Sequence, residues 1–176
     1  MVRKIVIPHS RPSLDKNDIS SVSEVIRSGK IVQGKVVEEF EGKVARYIGV
    51  NGAVATSTGT SALHLALLAL GIKKGDRIAI PSFVCTALLN VVKYAGAHPV
   101  LVDVDPKTYN IDIHDLKKRI NKSTRAIILP HQFGLPADID EVMSFGVPVI
   151  EDCAQAIGAV YRGKKVGSFG GLSCFS

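Results

Sequence analysis

Tryptophan is absent from this 176-residue sequence, other aromatic residues are scarce, and cysteine occurs only three times. Cys85, Cys153 and Cys174 are too far apart to form a CxxC pair, and an odd number of cysteines does not suit a framework of intrachain disulfides. No group of residues has the spacing of a metal site. We therefore expect no disulfide scaffold and no metal, and a reducing compartment, the cytoplasm, suits the chain best.

Long apolar runs are missing as well. Charged residues, Gly or Pro interrupt every apolar stretch before it reaches the roughly 20 residues of a membrane-spanning helix, and the N-terminal stretch is too short for a secretory signal. The 22 Lys and Arg residues outnumber the 16 Asp and Glu residues, but they lie in small scattered groups, so we expect no nucleic-acid partner. The length suffices for one sizeable core, which predicts a single globular domain.

Short apolar runs alternate with segments of helical periodicity, which is typical of α/β proteins. The runs are almost entirely apolar, which indicates strands covered on both faces. We predict a three-layer fold in which helices cover both faces of a mostly parallel sheet. Asp15 and Gly29 should bound the first helix, and further helices are predicted at 35–48, 61–71, 85–94, 113–120 and 138–143. The predicted strands are 52–56, 77–80, 99–102, 125–129, 147–150 and 172–175.

Two nucleotide-binding motifs are excluded. The stretch from Gly29 to Lys35 nearly matches a P-loop, but Val36 stands where Mg²⁺ coordination needs Ser or Thr, and the stretch follows a helix instead of a strand. No GxGxxG follows the first predicted strand, which disfavours a dinucleotide-dependent dehydrogenase.

A run of small polar residues, STGTS at 57–61, stands immediately before a long apolar helix. Free N–H groups at a helix N-terminus, together with the hydroxyls of Thr60 and Ser61, suit the binding of a phosphate group. The same residue types also serve as ordinary helix caps. From these residues alone, both interpretations stay open.

Asp152 follows a predicted strand at the edge where parallel sheets bind ligands, and Gln155 comes three residues later. A carboxylate at this position would favour the protonated form of a heteroaromatic ring nitrogen, and Gln155 could reach a ring substituent. The alternative is a capping box, which has the same spacing and is the commoner use of these residues. His131 and Gln132 also follow a strand, although a lone His without a visible partner is more often structural.

Six stretches, in order along the chain, resemble the pyridoxal phosphate (PLP) dependent sugar aminotransferases of the DegT and StrS kind, which have the aspartate aminotransferase fold. They are SGKIVQGKVVEEFEGKVARYIGV, ATSTGTSALHLALLALGIKKGDRIAIPSF, PVLVDVDPKTYNIDI, AIILPHQFGLPADID, VIEDCAQAIGA and GSFGGLSCFS. Together they cover nearly the whole chain, which makes the resemblance specific.

The resemblance implies PLP as the cofactor. It implies that Thr60, Ser61 and Ser176 hold the phosphate, that Asp152 pairs with the pyridine nitrogen, and that Gln155 contacts the ring hydroxyl. Cys85 stands where the family usually has an aromatic residue stacked on the ring. The implied reaction transfers an amino group from glutamate to a nucleotide-linked keto-sugar in a homodimer.

In that family the Schiff-base lysine comes shortly after the CFS stretch, whereas this sequence ends at Ser176. We therefore expect residues 1–176 to form the N-terminal part of the large domain, without the small domain or any catalytic residue, and to be inactive alone. Two alternatives are a fragment of a dehydratase that uses pyridoxamine phosphate, in which a His replaces the lysine, and a non-enzymatic, regulatory or degenerate member of the family.

Overall fold

The computed structural model describes residues 11–176, so the apolar stretch at the N-terminus lies outside the described residues. The chain divides into two units, of which the first ends at Phe40. Helix α1 spans Lys16–Ser28; Asp15 caps it by accepting the N–H of Asn17 at 2.7 Å, and Gly29 ends it with a φ of 68°. The predicted boundaries of this helix are confirmed.

The second unit, Glu41–Ser176, contains a five-stranded sheet in which every neighbouring pair of strands is parallel. The strand order is β2-β1-β3-β4-β7. These strands are β1 (Arg77–Pro81), β2 (His98–Val102), β3 (Thr124–Pro130), β4 (Val149–Asp152) and β7 (Leu172–Cys174), and a small antiparallel hairpin is formed by β5 (Val160–Tyr161) and β6 (Lys164–Lys165). The helices are α2 (Lys35–Ile48), which begins in the first unit, α3 (Gly59–Ala69), α4 (Ala87–Tyr94), α5 (Ile113–Arg119) and α6 (Ile139–Ser144).

Side chains of the central strands alternate between two apolar clusters, one on each face of the sheet. In β1, Ile78 and Ile80 pack with residues of α3 and α4, whereas Ala79 packs on the opposite face with residues of α5 and α6. In β3, Ile128 belongs to the first cluster and Ile127 to the second. The predicted three-layer α/β fold is therefore confirmed. Among residues 11–176, no helix is long and apolar enough to cross a membrane.

The strand predicted at 52–56 is wrong, because these residues have an irregular backbone and pair with no other strand. The N–H of Ala55 donates instead to Oε1 of Glu41 at 2.7 Å, and Val54 points to solvent with 79% of its surface exposed. The apolar residues of this segment predicted a strand, but the segment pairs with no edge of the sheet. The other predicted helices and strands are present, with ends displaced by one or two residues.

Candidate functional site

A small pocket of about 50 Å³ lies at the carboxyl edge of the sheet, where the chain leaves β1, β3 and β4. Ligands of parallel α/β proteins bind at this edge because the connecting loops there come from neighbouring strands. The pocket is lined by Val84, Cys85, Pro130, His131, Gln132, Asp152, Ala154 and Gln155. Three of the predicted site residues therefore meet in one place.

Asp152, the last residue of β4, is partly buried at the wall of this pocket. Burial raises the pKa of its carboxyl group, and a hydrogen bond from the N–H of Ala154 to Oδ1, at 3.1 Å, opposes that rise. The other oxygen, Oδ2, accepts no hydrogen bond from the part of the chain that the structure describes. Asp152 thus offers a poorly solvated carboxylate oxygen to a cationic or N–H-bearing ligand.

The capping-box interpretation of Asp152 and Gln155 is wrong, because residues 152–155 do not begin a helix. The side chain of Gln155 reaches a different loop, where its Oε1 accepts the N–H of Phe133 at 2.9 Å. This bond fixes the orientation of the amide, and the Nε2 donor of Gln155 takes no part in it. Gln155 therefore reaches the pocket from a loop and not from a helical face.

The N-terminus of α3 combines a helix cap with open donors. Thr58 is the N-cap residue, and its Oγ1 accepts the N–H of Ser61 at 3.0 Å. Within residues 11–176, the N–H groups of Gly59 and Thr60 have no partner. The Ser61 hydroxyl lies 3.2 Å from that of Ser57. The helix cap is therefore confirmed, and phosphate binding stays a prediction that the two remaining N–H donors permit.

Ser176 lies directly against this helix N-terminus. A Cβ built on Gly59 would stand 2.8 Å from Cβ of Ser176, so only glycine allows the approach. Ser176 follows β7, which pairs with β4 and places Cys174 beside Asp152. Strand β7 therefore connects the α3 N-terminus with the carboxylate pocket, and Thr60, Ser61 and Ser176 form the second group of predicted site residues.

The three cysteines differ in their surroundings. Cys153 and Cys174 are buried, and burial raises the pKa of both thiols, that of Cys174 to about 12. Cys85 is exposed and lines the pocket. Among the described residues that line the pocket there is no Phe, Tyr or Trp, and its apolar surface comes from Val84, Cys85, Pro130 and Ala154.

Beneath the pocket, His131 pairs with Glu151, whose importance the sequence did not indicate. Both side chains are fully buried, and Nε2 of His131 lies 3.2 Å from Oε2 of Glu151. Nδ1 of His131 accepts the N–H of Ala137 at 3.1 Å, so the hydrogen of the neutral ring is on Nε2 and is donated to Glu151. His131, which has no visible partner in the sequence, therefore has one in the fold, and its role is structural.

Glu151 also binds the loop that leads to β7. Its oxygens accept the backbone N–H groups of Gly167, Phe169 and Gly170 at 2.7 to 2.8 Å. Burial disfavours the charged carboxylate, but the hydrogen bond from His131 and these N–H groups outweigh burial and lower its pKa below the usual value. One buried anion therefore joins the loop after β3 to the loop before β7.

His131, Glu151 and Cys153 are also close enough together to be considered as metal ligands. The four hydrogen bonds to Glu151 occupy the roughly four acceptor positions of a carboxylate, and Nδ1 of His131 is engaged by Ala137. Burial also raises the pKa of the Cys153 thiol, which disfavours the thiolate that a metal requires. The cluster is a hydrogen-bonded support and does not suit a metal.

Gly167→Ala should destabilise the protein by about 1–3 kcal/mol. Gly167 has a φ of +88°, and a Cβ there would stand 2.4 Å from Cζ of Phe175. The matched control is Gly171→Ala, where a Cβ meets no atom within 4 Å. Urea unfolding of both variants measures the difference, and equal stability of the two would contradict the close packing of this loop.

The comparisons with known proteins agree with this architecture. Residues 12–176 match the model of the DegT/DnrJ/EryC1/StrS aminotransferase family. The GDP-perosamine synthase of Vibrio cholerae is 39% identical over 176 residues, which cover 97% of this chain and 48% of that protein. The chain therefore spans about half the length of this curated relative.

Two solved structures are also similar. A sugar aminotransferase of Streptococcus pneumoniae in its PLP form is 28% identical, with a TM-score of 0.93 over 97% of this chain and 48% of that one. The dehydratase ColD, solved as a mutant with bound GDP-perosamine, is 29% identical, with a TM-score of 0.91 over 96% of this chain and 46% of that one. Because the family model matches nearly the whole sequence, this chain belongs to the DegT/DnrJ/EryC1/StrS aminotransferase family.

Proposed function

We propose that this chain supplies one wall of a PLP site in an enzyme that transfers an amino group to a nucleotide-linked keto-sugar. The observation that carries the proposal is the pairing of β4 with β7. This pairing puts the open α3 N-terminus and Ser176 in the same structural unit as the partly buried Asp152.

The residues present suit the cofactor at each of its polar groups. The free N–H groups of Gly59 and Thr60 and the Ser61 and Ser176 hydroxyls would hold the phosphate, because a helix N-terminus favours an anion. The open oxygen of Asp152 would hold the proton of the pyridine nitrogen. Gln155 would donate from Nε2 to the ring oxygen, because its Oε1 is already bound to Phe133.

When bound, PLP supplies an electron sink for the carbon that loses its proton. In this chain, Asp152 would maintain the positive charge of the ring, and Cys85 and Val84 would shield part of the ring from water. The pocket of about 50 Å³ is much smaller than the roughly 300–1,000 Å³ of an enclosing ligand site. We therefore infer that the opposite wall comes from outside residues 1–176, and the family resemblance implies the same for the proton-transferring lysine.

The proposed amino donor is glutamate and the proposed acceptor is a nucleotide-linked keto-sugar. The V. cholerae relative, a GDP-perosamine synthase, supports the choice of acceptor, because its name specifies a GDP-linked amino sugar. The three unpaired cysteines of the described chain support a cytoplasmic location.

Amino transfer should be undetectable for residues 1–176 alone and should appear when the second half of the V. cholerae GDP-perosamine synthase is joined to their C-terminus. The reason is that proton transfer at the substrate carbon needs a positioned base. The assay follows transfer from glutamate to a GDP-linked keto-sugar, with the intact V. cholerae enzyme as the positive control. Turnover by residues 1–176 alone would contradict the proposal, and so would a folded, PLP-loaded chimera that is inactive.

Sugar dehydration is a second candidate, and the similarity to ColD favours it. In the family that the sequence resembles, the dehydratases differ from the aminotransferases by a His in place of the lysine after the CFS stretch. The same residues of this chain would serve both reactions, because each reaction needs the cofactor phosphate and ring to be held.

We also infer a homodimer as the assembled state, and we expect the isolated chain to associate at micromolar concentration. Large apolar side chains are exposed on α3 and α4, among them Leu65, Leu68 and Tyr94, at 49–66% of their surface. Exposed apolar surface drives association. Light scattering tests this expectation, and a stable monomer with a cooperative thermal transition would contradict it.

A further inference from the structure

Three exposed aromatic rings from three different loops form a cluster beside the pocket. Phe83 follows β1, Tyr109 follows β2 and Phe133 follows β3. The ring centroids of Phe83 and Tyr109 are 5.6 Å apart, and those of Tyr109 and Phe133 are 6.2 Å apart. The exposed fractions are 53%, 46% and 68% in chain order. We call this group the aromatic platform.

The platform is continuous with the pocket but does not line it. Phe83 precedes the pocket residues Val84 and Cys85, and its carbonyl accepts Nε2 of Gln132 at 2.8 Å. The N–H of Phe133 donates to Gln155, another pocket residue. A ligand that extends out of the pocket along these loops would therefore meet the rings.

Two of the three aromatic residues have a backbone conformation that is unfavourable for bulky side chains. Tyr109 has a φ of 60° and Phe133 a φ of 54°, a conformation in which glycine is favoured and a bulky residue is strained. Hydrogen bonds maintain both conformations, since Tyr109 donates its N–H to the carbonyl of Asp105 and Phe133 donates its N–H to Gln155. Strained residues of this kind concentrate at ligand-binding positions.

The chemistry of the exposed rings selects one of the two proposed substrates. The edge-on arrangement of Tyr109 and Phe133, at 83°, leaves ring faces accessible for stacking. Glutamate has no aromatic group, whereas a nucleotide-linked sugar carries a flat heteroaromatic base. We propose that the aromatic platform stacks the base of the nucleotide-linked sugar and so contributes to substrate specificity. This inference rests on the proposed function.

The test is equilibrium dialysis of residues 1–176 with GDP, guanosine or inorganic pyrophosphate as the probe. GDP and guanosine should both bind, because the base makes the stacking contact. Tyr109→Gly should weaken both by about tenfold, the loss typical of removing a stacked ring. Its thermal midpoint should stay the same or rise, because glycine relieves the positive φ. Phe133→Gly is the second variant, with the same expectation for GDP and for the midpoint.

Phe40→Ala is the matched control, because Phe40 is a comparably exposed ring on α2 that lies outside the platform. It should leave GDP binding unchanged. The proposal is overturned if wild type binds no GDP, if both glycine variants bind GDP as wild type does, or if pyrophosphate binds while guanosine does not. The proposal is also overturned if both glycine variants lose thermal stability, or if their only effect is to convert a dimer to a monomer.

PLP binding is measured on the same samples to separate the two proposals. Normal PLP binding without GDP binding contradicts base stacking on the aromatic platform and is consistent with the proposed PLP site. GDP binding that requires Tyr109, without PLP binding, overturns the proposed function and shows that the rings bind a base independently of the cofactor.

Discussion

Replacing Glu151 with Ala should cost about 3–5 kcal/mol of folding free energy, a large part of the roughly 5–15 kcal/mol that stabilises a typical domain. The substitution leaves four donors without an acceptor: Nε2–H of His131 and the N–H of Gly167, which are buried, and the N–H groups of Phe169 and Gly170, which are partly buried. Each unsatisfied buried donor costs about 1–3 kcal/mol before relaxation. Urea unfolding measures the loss, with the exposed Glu141→Ala as the matched control.

The effect should also depend on pH, in a direction fixed by the lowered pKa of Glu151. A carboxyl group whose pKa is lowered by folding stabilises the protein above its unfolded pKa, and that stability is lost as the pH falls through the folded value. The difference between wild type and Glu151→Ala should therefore be greatest at neutral pH and shrink in acid. A loss below about 1 kcal/mol at neutral pH would contradict the assigned role of the pair.

Asp152→Asn should separate catalysis from stability. In the chimera with the V. cholerae second half, we expect the rate of amino transfer to fall by about 100-fold or more, the scale of removing one preorganised electrostatic group. The neutral amide cannot hold the proton of the ring nitrogen, although Oδ1 of Asn can still accept the N–H of Ala154. Steady-state assays and urea unfolding of the same variant give the two measurements.

The stability of Asp152→Asn should equal or exceed that of wild type at neutral pH. Burial raises the pKa of Asp152, so its contribution to stability is full below the unfolded pKa and is lost as the pH rises through the folded value. Asn avoids this cost, and the advantage should vanish in acid. Near-normal turnover combined with a loss of about 1 kcal/mol or more would show that Asp152 mainly forms the turn after β4.

The sequence predicted the layers of the fold because apolar runs such as that of β3 are buried on both faces, and periodicity reports burial directly. It failed at residues 52–56, where an apolar segment has no strand to pair with, because pairing depends on distant residues. The capping box considered as an alternative for Asp152 and Gln155 failed for a similar reason. Gln155 binds the N–H of Phe133, which is 22 residues away, and local spacing carries no information about that contact.

The N-terminus of α3 was predictable because helix capping depends on local sequence, here the STGTS run at 57–61. The support beneath the site was not predictable. In the sequence, Glu151 directly follows a predicted strand and has no visible partner, and only the fold brings His131 and the loop of Gly167 to its oxygens. The aromatic platform is likewise assembled from three loops that follow different strands. Tyr109 and Phe133 gave no signal, because neither is a residue type that usually adopts a positive φ.

Equilibrium dialysis of residues 1–176 against PLP, followed by borohydride reduction and intact-mass spectrometry, tests the PLP site most directly. We expect one saturably bound PLP per chain that borohydride does not fix. Binding should weaken by about tenfold in Asp152→Asn and Ser61→Ala, which remove charge-assisted or anion-binding contacts. It should be unchanged in the matched substitutions Asp140→Asn and Ser144→Ala on α6. Absence of saturable binding, equal affinity in all four variants, or stoichiometric reduction of PLP onto one lysine would contradict the account.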